Sequence, residues 1–118
     1  MLSVEAILKE ACGVVGLARN KVELSVNIVS PAKMRELNKL HRDKDKPTDV
    51  LSFQLGIQHD ILYAGDIFIN RLDAKKNLPF LVAHGFLHLM GYDHEKSPKQ
   101  AREMFSLQDK ILKQCAKR

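Results

Sequence analysis

Tryptophan is absent from this 118-residue chain, and only two cysteines occur. No aromatic signature of the RRM type is present, which excludes that route to RNA. Cys12 and Cys115 stand far apart with no C-x-x-C neighbour. They read as buried free thiols in a reducing compartment, with a bond between the terminal segments as the alternative. No apolar run reaches the ~18 residues that a membrane span needs. Met1-Leu2-Ser3-Val4-Glu5 has no basic leader and no long apolar core, so no signal peptide is expected. Internal repeats and low-complexity segments are missing as well. These absences predict a cytoplasmic protein with no membrane partner.

What is present is ordinary for one globular domain. At 118 residues the chain can build a single core without staples. Its hydrophobic content is 45%. Acidic residues are outnumbered, and the net charge is +5 with a pI near 9.3. A basic surface suits a polyanion, because phosphate contacts release counterions.

Periodicity divides the chain. Residues 3–15 read as a helix: Ser3 can cap it, Val4, Ile7, Leu8, Ala11, Val14 and Val15 keep the helical period, and Gly16 ends it. Val22–Val29 alternates apolar and polar, as a half-buried strand does. Ser30-Pro31 opens a second helix, with Met34, Leu37, Leu40 and His41 on one side. A charged loop from Arg42 to Thr48 follows; on composition alone it is a solvated connection. Residues 49–55 form a second strand, with Val50, Ser52 and Gln54 on one face and Leu51, Phe53 and Leu55 on the other. Gly56 to Asp60 reads as a turn. A third strand covers 64–69 and begins at Ile61 in the longer version. It carries Asp66, whose carboxylate must be either paired or near a metal. Asn70 to Asn77 is polar, and Pro79 starts the next helix. Ser97-Pro98 opens the last helix, with Ala101, Met104, Phe105, Ile111, Leu112 and Cys115 on its apolar face.

The chemistry concentrates between Val82 and His94. Three of the five histidines lie here, spaced His-x3-His-x5-His. On a helix, His84 and His88 share a face, offset by roughly 40°. Gly91 can take the left-handed backbone that stops a helix. The turn brings His94 back beneath the first two rings. Three imidazoles then surround one position and leave a fourth for water, as a catalytic zinc requires. The competing reading is a set of ordinary helix histidines. Against it stand the apolar flanks Leu81, Val82, Leu87, Leu89 and Met90, which bury the helix, since a buried ring needs a partner. The zinc peptidases with H-E-x-x-H-x-x-G-x-x-H carry histidines and glycine at these offsets. Their glutamate, the general base, is replaced here by Gly85. The spacing therefore predicts a metal-dependent hydrolase other than a peptidase.

Three blocks stand in a fixed order: Leu37-Asn38-Lys39-Leu40-His41-Arg42 running through Pro47-Thr48-Asp49-Val50-Leu51-Ser52-Phe53, then Gly65-Asp66-Ile67, then His84 to His94. Together they closely resemble the YbeY family of bacterial metal-dependent endoribonucleases, from about Val22 to the last helix. The resemblance implies a single α+β domain over residues 1–118, small and zincin-like. A mixed sheet of about four strands would pack with helices, and the metal-binding helix would lie near the C-terminus. It implies one zinc ion on His84, His88 and His94, and a catalytic Arg42. The implied substrate is single-stranded RNA, with roles at the 3′ end of small-subunit (16S) ribosomal RNA and in ribosome quality control. The small ribosomal subunit is thus an expected partner, and DNA is not.

The chain departs from the family pattern in three places. Gln54 replaces a usual proline, the loop between Phe53 and Gly65 is short, and the segment between Asp66 and His84 is shortened, so that a helix usually found there is reduced or missing. In the implied mechanism Arg42 stabilises phosphate charge and Lys44 and Lys46 guide the RNA backbone. Asp66 and Asp93 are the candidate bases, and Asp93 alternatively orients a histidine. Two other functions compete: a metallopeptidase-like hydrolase with an unusual base, and a non-catalytic, zinc-stabilised RNA or ribosome binder.

Overall fold

The computed structural model describes residues 2–56 and 60–118. Three strands and four helices follow one another as α1 (Val4–Val15), β1 (Val22–Val29), α2 (Pro31–Arg42), β2 (Val50–Gln54), β3 (Tyr63–Asn70), α3 (Arg71–Leu89) and α4 (Pro98–Ala116), with a short 3-10 turn at Arg19–Lys21. The expected turn at Gly56 to Asp60 lies partly outside the described residues, and the structure shows a turn at Asp60.

Helix starts follow the cap chemistry of the sequence. Ser3, Ser30 and Ser97 each accept a hydrogen bond from a backbone N–H in the first turn of the helix that follows, on Ala6, Lys33 and Gln100. Pro31 and Pro98 stand where no intrahelical donor is needed.

The sheet has the order β1-β3-β2. β1 runs parallel to the central β3, and β2 runs antiparallel to it, with Val50 opposite Ile69 and Gln54 opposite Gly65. The expectation of about four strands is corrected to three among the described residues. Only three runs have strand alternation, and the chain from Arg71 to Leu89 spends its length in helix. Period-two alternation then sorts the faces. Ile67 and Ile69 face the main core with Val22, Leu24, Val26 and Val50, against α1, α3 and α4. Phe68 faces the other way and joins Leu51, Phe53 and Val29 beneath Met34 and Leu37 of α2. α3 is therefore sandwiched between the sheet and the α1–α4 pair, and seven of its residues from Leu81 to Leu89 are buried.

The polar stretch after β3 is helical rather than open. Asn70 caps it by accepting from Leu72 N–H, and the helix kinks at Asn77, whose φ of −154° and ψ of 38° are not helical. Pro79 supplies the cause: it has no N–H, and its ring excludes the carbonyl four residues back. The histidine-bearing part thus begins where the sequence placed it, and a short helical run is fused in front. No helix of the described chain is long and apolar enough to cross a membrane. Cys12 and Cys115 are buried and free.

Candidate metal centre

His84 and His88 leave α3 on one face, as their four-residue spacing requires. Their Nε2 atoms lie 3.1 Å apart. The helix then ends in a Schellman motif: Tyr92 N–H donates to Leu87 C=O at 3.1 Å and Gly91 N–H to His88 C=O at 3.0 Å, with Gly91 at φ +100°. A side chain at that φ would be strained, so glycine carries the bend. The reversed chain brings His94 back, its ring centroid 5.2 Å from His84 and 5.4 Å from His88. One ligand-type atom from each of the three histidines lies within 4.8 Å of the others. Among the described residues no other group of three such side chains converges in this way.

These residues fit a metal ion. Two nitrogens each about 2.0–2.1 Å from one tetrahedral ion stand about 3.3 Å apart, close to the separation of the His84 and His88 nitrogens. The Nδ1 of His94 is buried without a hydrogen-bond partner, a costly state for a polar atom unless something pairs with it. Burial pushes the His84 imidazole below its ordinary proton affinity, and nearby His94 adds to this while Gln108 opposes it. His88 is lowered too, first by burial and then by His84 and His94, with Asp93 opposing and Arg42 adding slightly. Both rings are thus biased toward the neutral form, whose lone pairs bind metals.

The histidines open onto a cleft of about 760 Å³, lined also by Arg42, by β2 with Thr48 and Asp49, and by Asp93. Arg42 is the last residue of α2, which ends at Asp43 in a left-handed conformation. The following loop is pinned to α2. Asn38 donates to Lys46 C=O at 2.8 Å, and Arg35 pairs with Asp45 at 2.7 Å. Arg42 therefore shares the cleft with the histidines. Lys44 and Lys46 are exposed and lie outside its lining.

The two candidate carboxylates separate. Asp66 is paired, accepting from the Ser25 hydroxyl, and it does not line the cleft. Asp93 does line it, but its oxygen accepts from Glu95 N–H at 2.9 Å and shapes the turn before His94. The residue that contacts a histidine from behind is Gln108, whose Oε1 lies 3.0 Å from His84 Nδ1. The sequence gave one signal for it, an amide within an otherwise apolar helix stripe, and that signal did not say which ring it would meet.

Gly85 has a reason of its own. A Cβ there would stand 2.9 Å from Ile67 Cγ2 and 3.0 Å from Ser52 Oγ. Its carbonyl accepts the Ser52 hydroxyl at 3.1 Å. The position at which the peptidases keep their base is thus pressed against the sheet, which removes the physical ground for the peptidase reading. Gln54 donates to Leu89 C=O at 3.1 Å and ties the end of β2 to the end of α3. A proline has no such donor.

Comparison with known proteins agrees with this geometry. The family model described as Endoribonuclease YbeY matches residues 2–116, farther toward the N-terminus than the resemblance read from the motifs. An Endoribonuclease YbeY of Persephonella marina is 43% identical over 109 residues, covering 79% of this chain and 70% of that protein. That of Aquifex aeolicus is 39% identical over 115 residues, covering 86% and 75%. That of Geobacillus thermodenitrificans is 38% identical over 131 residues, covering 93% and 83%. The solution structure of a Thermotoga maritima protein superposes with a TM-score of 0.56 at 29% identity, covering 95% of this chain and 80% of that one. With a full-length family match and these identities over most of its length, the chain belongs to the YbeY endoribonuclease family.

Proposed function

We propose that this chain is a zinc-dependent endoribonuclease of single-stranded RNA. Its role would be in maturing the 3′ end of small-subunit (16S) ribosomal RNA and in ribosome quality control, with the small subunit as partner and the cytoplasm as its place. We read residues 1–118 as a single YbeY-like, zincin-like domain. The observation that carries this reading is the convergence of His84, His88 and His94 in a cleft that Arg42 also lines.

His84, His88 and His94 would hold the ion, as imidazoles that suit zinc. When bound, such an ion supplies Lewis acidity toward a phosphoryl oxygen or a water molecule. The protein's own part is positioning. The Schellman turn and the Gln108 contact set the rings. Arg42 presents a permanently charged planar fork, which suits two phosphate oxygens and the charge that develops on them. The pinned 43–49 loop keeps that guanidinium at the cleft. The nucleophile is either water or the 2′-hydroxyl of the RNA itself, and Asp93 is the carboxylate that shares the cleft.

The test is cleavage of a labelled RNA spanning a small-subunit 3′ end, by zinc-loaded parent protein and by Arg42→Ala. The expected result is cutting by the parent, a rate lower by about 100-fold in the variant, and equal zinc in both. Equal cutting by both would remove Arg42 from the mechanism. Failure of both to cut while both hold zinc would overturn the endoribonuclease reading and leave a non-catalytic RNA or ribosome binder.

A further inference from the structure

The described residues include three buried polar side chains: Asn38, Asn70 and Gln108. Asn38 holds the loop and Asn70 caps α3. Gln108 sits on the core face of α4 beside Met104, Ile111 and Cys115, and is 4% exposed. An amide in that stripe costs stability that a leucine would not, unless it is hydrogen-bonded. Its contact is the one with His84.

That contact decides a proton position. A neutral imidazole carries its proton on either nitrogen, and the partner of one nitrogen sets which. The Gln108 oxygen can only accept, so the His84 Nδ1 must donate. The lone pair is then left on Nε2, the atom that faces His88 Nε2 at 3.1 Å. With the proton on Nε2, the same ring would present an N–H to the centre and could not ligate. The carboxylates of the site do not perform this task, since Asp93 is bound to Glu95 N–H and Asp66 to Ser25.

We propose that Gln108 is a positioning residue that fixes His84 as its Nδ1–H tautomer and thereby sets the affinity of the three-histidine site for a divalent metal. The affinity half rests on the metal-binding function proposed above; the tautomer half does not.

The experiment compares parent, Gln108→Met and Gln108→Glu. Methionine keeps the length and apolar packing and removes the oxygen; glutamate keeps an acceptor. Two readouts are taken: the 15N–1H long-range NMR pattern of His84 in metal-free protein, and zinc affinity by competition with a chromophoric chelator. In the parent, His84 should show the Nδ1–H pattern. Gln108→Met should lose it and bind zinc about 10–100-fold more weakly, while Gln108→Glu should bind within about threefold of the parent or more tightly. An unchanged His84 pattern with unchanged zinc affinity in Gln108→Met overturns the proposal. If Gln108→Met does not fold, the parent and Gln108→Glu decide: an Nε2–H pattern in the parent, or weakening by Glu as large as that expected for Met, overturns it. A parent that shows the Nδ1–H pattern yet binds no zinc instead defeats the metal-binding reading.

Discussion

Gly85 is under two demands at once. It sits on the helix that carries the histidines, and it touches the sheet with no room for a methyl group. Gly85→Ala should therefore separate α3 from Ile67 and Ser52 and cost about 1–3 kcal/mol, as overpacked cores do; urea denaturation at fixed pH measures it. Alanine raises intrinsic helix propensity over glycine, so an unchanged or higher midpoint would mean that the contact relaxes cheaply. The histidines give a pH dependence at the same scale. The folded-state proton affinities of His84 and His88 are lowered from 6.5, with burial as the largest cause. Below about 6.5 the unfolded chain then binds protons that the folded chain resists. The related stability is present in full above that pH and is lost as the pH falls through the lower folded-state values. Metal-free protein should show a falling melting temperature from pH 7.5 to pH 5. A flat profile in that window would exclude an energetic role for these two rings.

The elements matter through how they hold the loop before β2. α2 ends at Arg42, and its buried Asn38 reaches forward to Lys46 C=O. Removing that amide leaves the carbonyl without its partner. Asn38→Ala should cost about 1–3 kcal/mol, and it should reduce RNA cleavage while leaving zinc affinity unchanged, because the histidines belong to another element. Chelator competition beside a cleavage assay checks the split; loss of zinc affinity in this variant would show that loop and metal site are coupled. A related tie joins β2 to α3, from Gln54 to Leu89 C=O. The composition of the 42–48 loop suggested a solvated connection. Its side chains are indeed largely exposed, yet its backbone is fastened at Lys46 and its Asp45 is paired with Arg35. Composition reports solvent exposure, and fastening depends on which buried side chain from another element arrives beneath.

At the scale of the whole molecule the charge of +5 governs encounter with a polyanion. Binding of single-stranded RNA should weaken with salt, with a log–log slope of about −0.7 for each phosphate neutralised. Arg42→Ala should reduce the size of that slope by about 0.7, as measured by fluorescence anisotropy across a salt series. An identical slope would place Arg42 away from the bound backbone.

Much of this molecule was set by local chemistry and so was legible in the chain. Serine caps, proline at helix starts, two-residue alternation in β1 and β2, and glycine at the Schellman bend act over a few residues, and each stands where the sequence placed it. The histidine spacing likewise fixed which side chains converge, because helix geometry and one turn suffice. Other features needed the packed core. The sheet has three strands rather than about four, Asp66 found Ser25, Gly85 met Ile67 and Ser52, and Gln108 met His84 across 24 positions. Those pairings depend on how α3 and α4 rotate against each other and against the sheet. That rotation is chosen by burial of the whole apolar surface, which no short stretch of the chain encodes.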